Sequence, residues 1–288
     1  MITEMKKPVW TLLLCGLGAL GLLLIGLLAF MIWQARPAPA ADPTQATTTE
    51  TTQATTPPTE ATEPLIPANP YGPEDFGIEG HYMACLAGES MVGIDVSTWQ
   101  GYIDWEQVRD SGIEYAIIRI GYRGTEQGTM AEDDMAQTNY QGAKAAGLKV
   151  GAYFFSQAIT PEEARDEAIY AMRIIQDWEL DLPLVYDWEY VSEEARTANV
   201  DARLLTDCTI AFCQEVERGG YDSMIYFNPT QAHKQMFLEE LTGYRFWLAM
   251  YDTVMNYPHK VDMWQYTNRG YVPGINGNVD INLWFLYE

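Results

Sequence analysis

From residue 92 onward, apolar runs of strand length alternate with segments whose apolar residues recur at helical spacing. The first five runs, at 92–96, 115–120, 149–155, 182–186 and 223–227, are each followed by a helix signal. Asp104 and Gln107 have the spacing of a capping box, and the helix they open is predicted to stop at Gly112. A helix over 132–146 ends at Gly147. Thr160-Pro161-Glu162-Glu163 supplies a cap, a proline for the first turn and a glutamate three residues after the cap. Ala164, Ala168, Met172 and Ile175 then share one face of that helix. Asp201 opens a longer helix through Leu204, Leu205, Cys208, Phe212 and Val216, closed by Gly219-Gly220, and Asn228-Pro229 begins a short one. Three further strand-like runs, 246–250, 262–266 and 280–285, have no helix pattern between them. Eight strands with five helices predict an α/β fold, an irregular TIM-like (β/α)5β3 barrel, with an open doubly wound sheet as the alternative. Either architecture presents functional side chains at the carboxyl ends of its parallel strands.

The first eighty residues follow a different pattern. An apolar stretch without a charge runs from Pro8 to Trp33, longer than the about 20 residues that cross a bilayer. Lys6 and Lys7 precede it and only Arg36 follows closely, so the positive-inside rule leaves residues 1–8 in the cytoplasm. Residues 9–33 are the expected transmembrane helix, and the rest of the chain is expected outside the cell. Ala38-Pro39-Ala40 keeps open a second outcome, a signal peptide cleaved to release a secreted protein. Residues 34–80 are rich in Thr, Pro, Ala, Gln and Glu and are expected to form a disordered linker. The domain that does chemistry is placed at 81–288.

Charge and cysteine content narrow the function. From residue 81 on there are 32 acidic and 14 basic side chains, a formal charge of 14 − 32 = −18, which disfavours nucleic acid and anionic lipid as ligands. Cys85, Cys208 and Cys213 form an odd set outside the apolar stretch, and the last two are five apart on one predicted helix, so no disulfide framework is expected. His81, His233 and His259 have no ligand-like His or Cys neighbour. A zinc hydrolase is disfavoured, and no metal or cofactor is implied.

Asp187-Trp188-Glu189 closes the apolar run 182–186. Alternation along a strand aims both acids at one face and Trp188 at the other. Two carboxylates in one cleft suit glycosidic bond cleavage, in which one holds a proton at neutral pH while the other stays charged.

Three ordered motifs extend this picture. Gly93-Ile94-Asp95-Val96-Ser97 with Gln100-Gly101, then Asp187-Trp188-Glu189, then Trp264-Gln265-Tyr266 with Val279-Asp280-Ile281-Asn282, resemble the lysozymes of glycoside hydrolase family twenty-five across about residues 91–288. The resemblance implies an N-acetylmuramidase that cuts the β-1,4 bond between N-acetylmuramic acid and N-acetylglucosamine, with peptidoglycan glycan strands as its partner. Its fold is the same irregular barrel that strand counting gives. Carried over by motif, Glu189 is the general acid. Asp187 stays ionised, to stabilise the oxocarbenium-like transition state or orient the 2-acetamido group. Asp95 and Asp280 join them from strands one and eight, neighbours if the barrel closes. Tyr153, Tyr226 and Trp264 match motif positions and are the expected substrate contacts, aromatic faces on which sugar rings stack. One departure is clear: some relatives carry a Lys-x-Thr-Glu-Gly-like segment after strand two, where this chain has Arg119-Ile120-Gly121-Tyr122-Arg123-Gly124.

Two rival functions remain. A chitinase-like enzyme of family-eighteen type also ends strand four in Asp-x-Glu, and Asp187-Trp188-Glu189-Tyr190 fits that tail, but Leu182 and Val185 stand where its signature has carboxylates. The other rival is a non-catalytic glycan-binding barrel, against which the complete set of acids argues.

Overall fold

The computed structural model describes residues 66–287. The expected cytoplasmic segment 1–8, the transmembrane helix 9–33 and the linker up to residue 65 lie outside the described residues. Among the described residues no helix is long and apolar enough to cross a membrane.

Among the described residues the first strands form a hairpin, β1 (Phe76–Glu79) and β2 (Tyr82–Cys85), and the chain enters the main sheet at β3 (Ser90–Val96). There follow α1 (Trp105–Asp110), β4 (Tyr115–Arg123), β5 (Met130–Glu132), α2 (Ala136–Ala145), β6 (Lys149–Ser156), α3 (Pro161–Ile174), β7 (Leu184–Trp188) and α4 (Ala202–Arg218). The last part comprises β8 (Ser223–Phe227), α5 (Pro229–Lys234), β9 (Arg245–Ala249), β10 (Met263–Gly270) and β11 (Val279–Phe285). Strands β3, β4, β6, β7, β8, β9, β10 and β11 pair in that circular order, and the β3–β4 and β3–β11 pairings close a barrel. All neighbours are parallel except β11, which runs antiparallel to both β10 and β3. Short β5 pairs with the far end of β4. Five barrel strands followed by helices and three without are the pattern that the hydrophobic periodicity predicts.

Local chemistry explains the helix starts. Asp104 and Asp201 accept hydrogen bonds from the backbone N–H of Gln107 and Leu204, Thr160 caps Glu163, and Asn228 caps the short α5. Gly147, which ends the segment after α2, has φ of 85°, a conformation that costs other residues steric strain.

Side-chain alternation sorts the barrel into two layers. Met91, Tyr115, Ile117, Val185, Met224, Trp247, Met263 and Trp284 fill the interior. Their alternates, such as Ile94, Ile118, Tyr186, Ile225, Leu248 and Trp264, pack outward. Gly93 lets the strands come together here, because a Cβ at that position would stand 2.3 Å from the Tyr115 ring.

Residues 66–80 belong to the barrel's outer wall, although their composition groups them with the linker. The N–H of Asn69 bonds to the Pro258 carbonyl at 2.9 Å, and its side chain bonds to the Tyr257 carbonyl at 3.0 Å. Phe76 meets Trp264 edge-on at 5.3 Å between centroids, and Tyr71 stacks at 6.0 Å from Tyr287. These aromatics cover the side of β10 and β11 that no helix covers. Cys85, Cys208 and Cys213 are free and buried.

Candidate active site

The barrel's closure brings together the four acids that the sequence singled out. Register pairs Asp280 of β11 directly with Asp95 of β3. Both share the inward face with Asn282 and Trp284 on β11 and with Gly93 and Met91 on β3, by strict alternation. Asp187 lies on the inward face of β7, two residues beyond Val185, and Glu189 follows the strand's last residue. Asp95 and Asp187 are 7% and 5% exposed, while Glu189 and Asp280 are half-buried at the rim.

Asp95 is held from two sides. One of its carboxylate oxygens accepts 2.8 Å hydrogen bonds from Gln265 Nε2 and from Asn282 Nδ2. Gln265 Oε1 in turn accepts from the hydroxyls of Tyr226, at 3.1 Å, and Tyr251, at 3.0 Å. Asn282 Oδ1 accepts from Trp247 Nε1 at 2.8 Å. This network fixes the amide orientations, so both NH₂ groups must point at Asp95. Asp187 is supported less fully: its buried Oδ1 has no hydrogen-bond partner. An unpartnered buried oxygen in a cleft is an acceptor held for a ligand donor.

The backbone at Glu189 is clamped by two buried glutamines. Gln157 Nε2 donates to the Glu189 carbonyl at 2.8 Å, and Gln231 Nε2 donates to the Trp188 carbonyl at 2.7 Å. Gln157 is itself fixed by Thr197 Oγ1 on its amide oxygen and by Arg196 Nη1 on its carbonyl. Arg196 is paired with Glu163 at 2.7 Å. The loop after β6 and helix α5 after β8 therefore set the position of the acid that follows β7.

Burial raises the pKa of every acid in the cluster, since few polar groups remain to solvate the charges. Asp280 is pushed up to about 6. Asp95 rises well above the carboxylate range through burial and the Asp280 charge, against the opposing pull of Asn282 and Gln265. Asp187 rises well above its usual value through burial and the neighbouring Glu189 and Asp95 charges, with Arg119 pulling it down. Glu189 is raised by burial and by Asp280, and lowered by a hydrogen bond with Asp187. The two carboxyls titrate as a coupled pair, both raised by burial. The sequence expectation of a raised carboxyl at Glu189 beside a second acid has the same direction as these shifts.

Among the expected sugar contacts, Tyr226 stands on the interior face in register with Asp187, and Tyr153 in register with Val185, two residues before it; both feel the Asp95 and Asp187 charges. Trp264 requires a correction. It is fully buried on the outward face of β10, bonded through Nε1 to the Met250 carbonyl at 2.7 Å and covered by Phe76. Its neighbour Gln265 faces inward, so alternation turns Trp264 away from the cleft. The functional residues that sequence reasoning missed are mostly neutral amides: Gln265, Asn282, Gln157 and Gln231. Gln265 and Asn282 lay within the recognised motifs, and alternation from Met263 and Trp284 would have assigned them inward. No periodic signal marks Gln157 or Gln231. Arg119 was noted only as a departure; it faces the cluster from β4 and is held by Asp133 at 2.7 Å.

Comparisons with known proteins agree with this geometry. An uncharacterized protein, YegX, of Escherichia coli O157:H7 is 29% identical over 210 residues, covering 68% of this chain and 70% of YegX. The autolytic lysozyme of Clostridium acetobutylicum is 27% identical over 194 residues, covering 67% of this chain and 55% of that enzyme. Among solved structures, the modular autolysin LytC of Streptococcus pneumoniae, in complex with a synthetic peptidoglycan ligand, superimposes with a TM-score of 0.60 at 25% identity. That match covers 68% of this chain and 47% of LytC, so the chain spans about half of that autolysin. The family model for glycosyl hydrolases family 25 matches residues 94–275, from the strand that carries Asp95 to the loop before Asp280. A match through well over half of the 288 residues, on a barrel with its acids gathered at one rim, is decisive: the chain belongs to glycosyl hydrolases family 25.

Proposed function

We propose that this protein hydrolyses peptidoglycan by cutting the β-1,4 bond between N-acetylmuramic acid and N-acetylglucosamine. The observation that carries the proposal is the convergence of Asp95, Asp187, Glu189 and Asp280 at the carboxyl-end rim, with burial raising all four pKa values. Such a cluster holds a proton at neutral pH and keeps a neighbouring charge, as glycosidic cleavage requires. Glu189 is the half-buried member beside the buried Asp187, so it is the group a leaving oxygen can reach. It acts as general acid and gives its proton to that oxygen. Once that proton is delivered, the carboxylate stabilises positive charge at the anomeric carbon. The unpartnered Asp187 Oδ1 is placed to accept from the acetamido N–H of the sugar. Tyr153 and Tyr226 line the floor beneath the sugar.

The same proposal places the enzyme at the cell surface, with residues 9–33 as the anchor and the barrel outside. Membrane fractionation with protease accessibility of the barrel tests this, and barrel found wholly in the culture medium would favour cleavage and secretion.

Reducing-end analysis of a cell-wall digest tests the chemistry. New muramic acid ends are expected, and Glu189→Gln should lower their release by at least about 100-fold while the fold persists. New glucosamine ends or release of soluble chitin fragments would favour the chitinase-like alternative. Binding to walls with no new ends would favour a glycan-binding barrel.

A further inference from the structure

A second groove of about 940 Å³ lies beside the acid cluster. One wall is the β1–β2 hairpin, with Ile78 and Met83; the other is formed by the loops that carry Tyr251 and Tyr271. It meets the cleft at Tyr251, whose ring lines the groove while its hydroxyl bonds to Gln265, the residue that holds Asp95. From there it descends the outer face of the barrel, past Ile281, whose inward-facing neighbour is Asp280. The groove thus diverges from the cleft instead of prolonging it. That course suits a branch of the substrate rather than the continuing glycan strand.

Its chemistry also suits a branch. The lining is mostly apolar, and its polar members include Tyr271, 77% exposed, Arg269 and the acidic Asp252. Arg269 is an exposed guanidinium that makes no ion pair among the described residues, although nine other ion-pairing cations there include eight arginines. In a domain with a formal charge of −18 (14 basic and 32 acidic side chains from residue 81), an uncommitted guanidinium is a recognition element for a carboxylate. The branches on a peptidoglycan strand are short peptides with small apolar side chains and free carboxylates.

We propose that this groove binds the carboxylate-bearing peptide stem of peptidoglycan, with Arg269 taking a carboxylate and Tyr271 covering the peptide backbone. The inference rests on the proposed muramidase activity and deepens it. The hairpin wall lies outside the residues matched by the family model.

The test compares the full-length protein and its Arg269→Ala and Tyr271→Ala variants on two substrates: glycan strands that bear peptide stems, and the same strands stripped of stems by an amidase. For the variants, KM is expected to rise about fivefold on peptide-bearing strands and to stay unchanged on stripped strands, with kcat unaffected on both. Equal behaviour of wild type and both variants on both substrates would overturn the proposal. So would equal losses on both substrates, which would show that the groove holds sugar. A second measurement is independent of cleavage: titration of the Glu189→Gln protein with a free stem tetrapeptide. Binding weakened by Arg269→Ala supports the groove even if no bond is cut, and absence of binding overturns it. Failure of the wild type to release muramic acid ends from either substrate would overturn the muramidase reading separately.

Discussion

Asp280 and Gln157 illustrate how single side chains act on the acids without being the acid. Asp280 adds a negative charge that raises both Asp95 and Glu189. Asp280→Asn should therefore lower the pKa of the remaining acids, and the alkaline fall in activity should move to lower pH by about half a unit to one unit. The pH dependence of kcat/KM measures this; an unmoved alkaline limb would detach Asp280 from the cluster. Gln157→Leu removes the donor to the Glu189 carbonyl. A displaced acid should lower kcat about tenfold with KM nearly unchanged. The alkaline limb should also shift, which mere loss of folded protein would not produce. Trp264→Phe, by contrast, should cost stability and leave KM for glycan strands alone, because the ring packs outside the barrel.

Among the elements, the hairpin has the largest unanticipated role. Helices α1 to α5 cover one side of the barrel, and β9 to β11 are left without helices of their own. Tyr71, Phe76 and Met83 supply that missing layer against Trp264, Tyr266, Phe285 and Tyr287. Phe76 is 8% exposed, and Phe76→Ala should destabilise the domain by about 3 kcal/mol, read as a lower denaturation midpoint in urea. A chain beginning at residue 88 should expose the same aromatic surface and aggregate, detectable by light scattering. The helix boundaries, on the other hand, follow from local caps. Thr160, Asp201 and Asn228 satisfy their own helix N-termini with no help from distant residues.

For the whole molecule, the gathered acids link function to stability. A carboxyl whose folded pKa is raised favours the folded state below its unfolded pKa, and that contribution is lost as pH rises through the folded value. Asp280 does this up to about 6, and Asp95 and Asp187 do so in the same direction. Glu163 works the other way: burial pushes it up, but hydrogen bonds from Arg196 and Ile159 win and hold it below its usual value. Its contribution is lost as pH falls through that depressed value. The two trends bracket a stability maximum on the acid side of neutral, and Tm at pH 5 should exceed Tm at pH 8 by about 5 °C. Calorimetry across pH tests this, and a maximum at pH 8 would contradict it. Replacing Asp280 by Asn should raise Tm at pH 8, since it removes a charge that folding desolvates.

Strand order, helix positions and the barrel class were legible in the sequence, because each depends on spacing along the chain, while the set of four acids came from the motifs that resemble family twenty-five. Periods of two and near four mark which residues share a face, caps mark where helices start, and acidic motifs stand at strand ends whatever the packing. Three things were decided only by the tertiary structure. Residues 66–80 pack on the barrel because three strands lack helices, a vacancy that composition cannot show. Trp264 turns outward because closure fixes the direction of β10, with Gln265 facing Asp95. Asp187 is more deeply buried than Glu189 because closure sets how much of each acid the barrel covers. Adjacency in sequence carries chemistry as far as the strand end; which acid is charged there depends on what the closed barrel places around it.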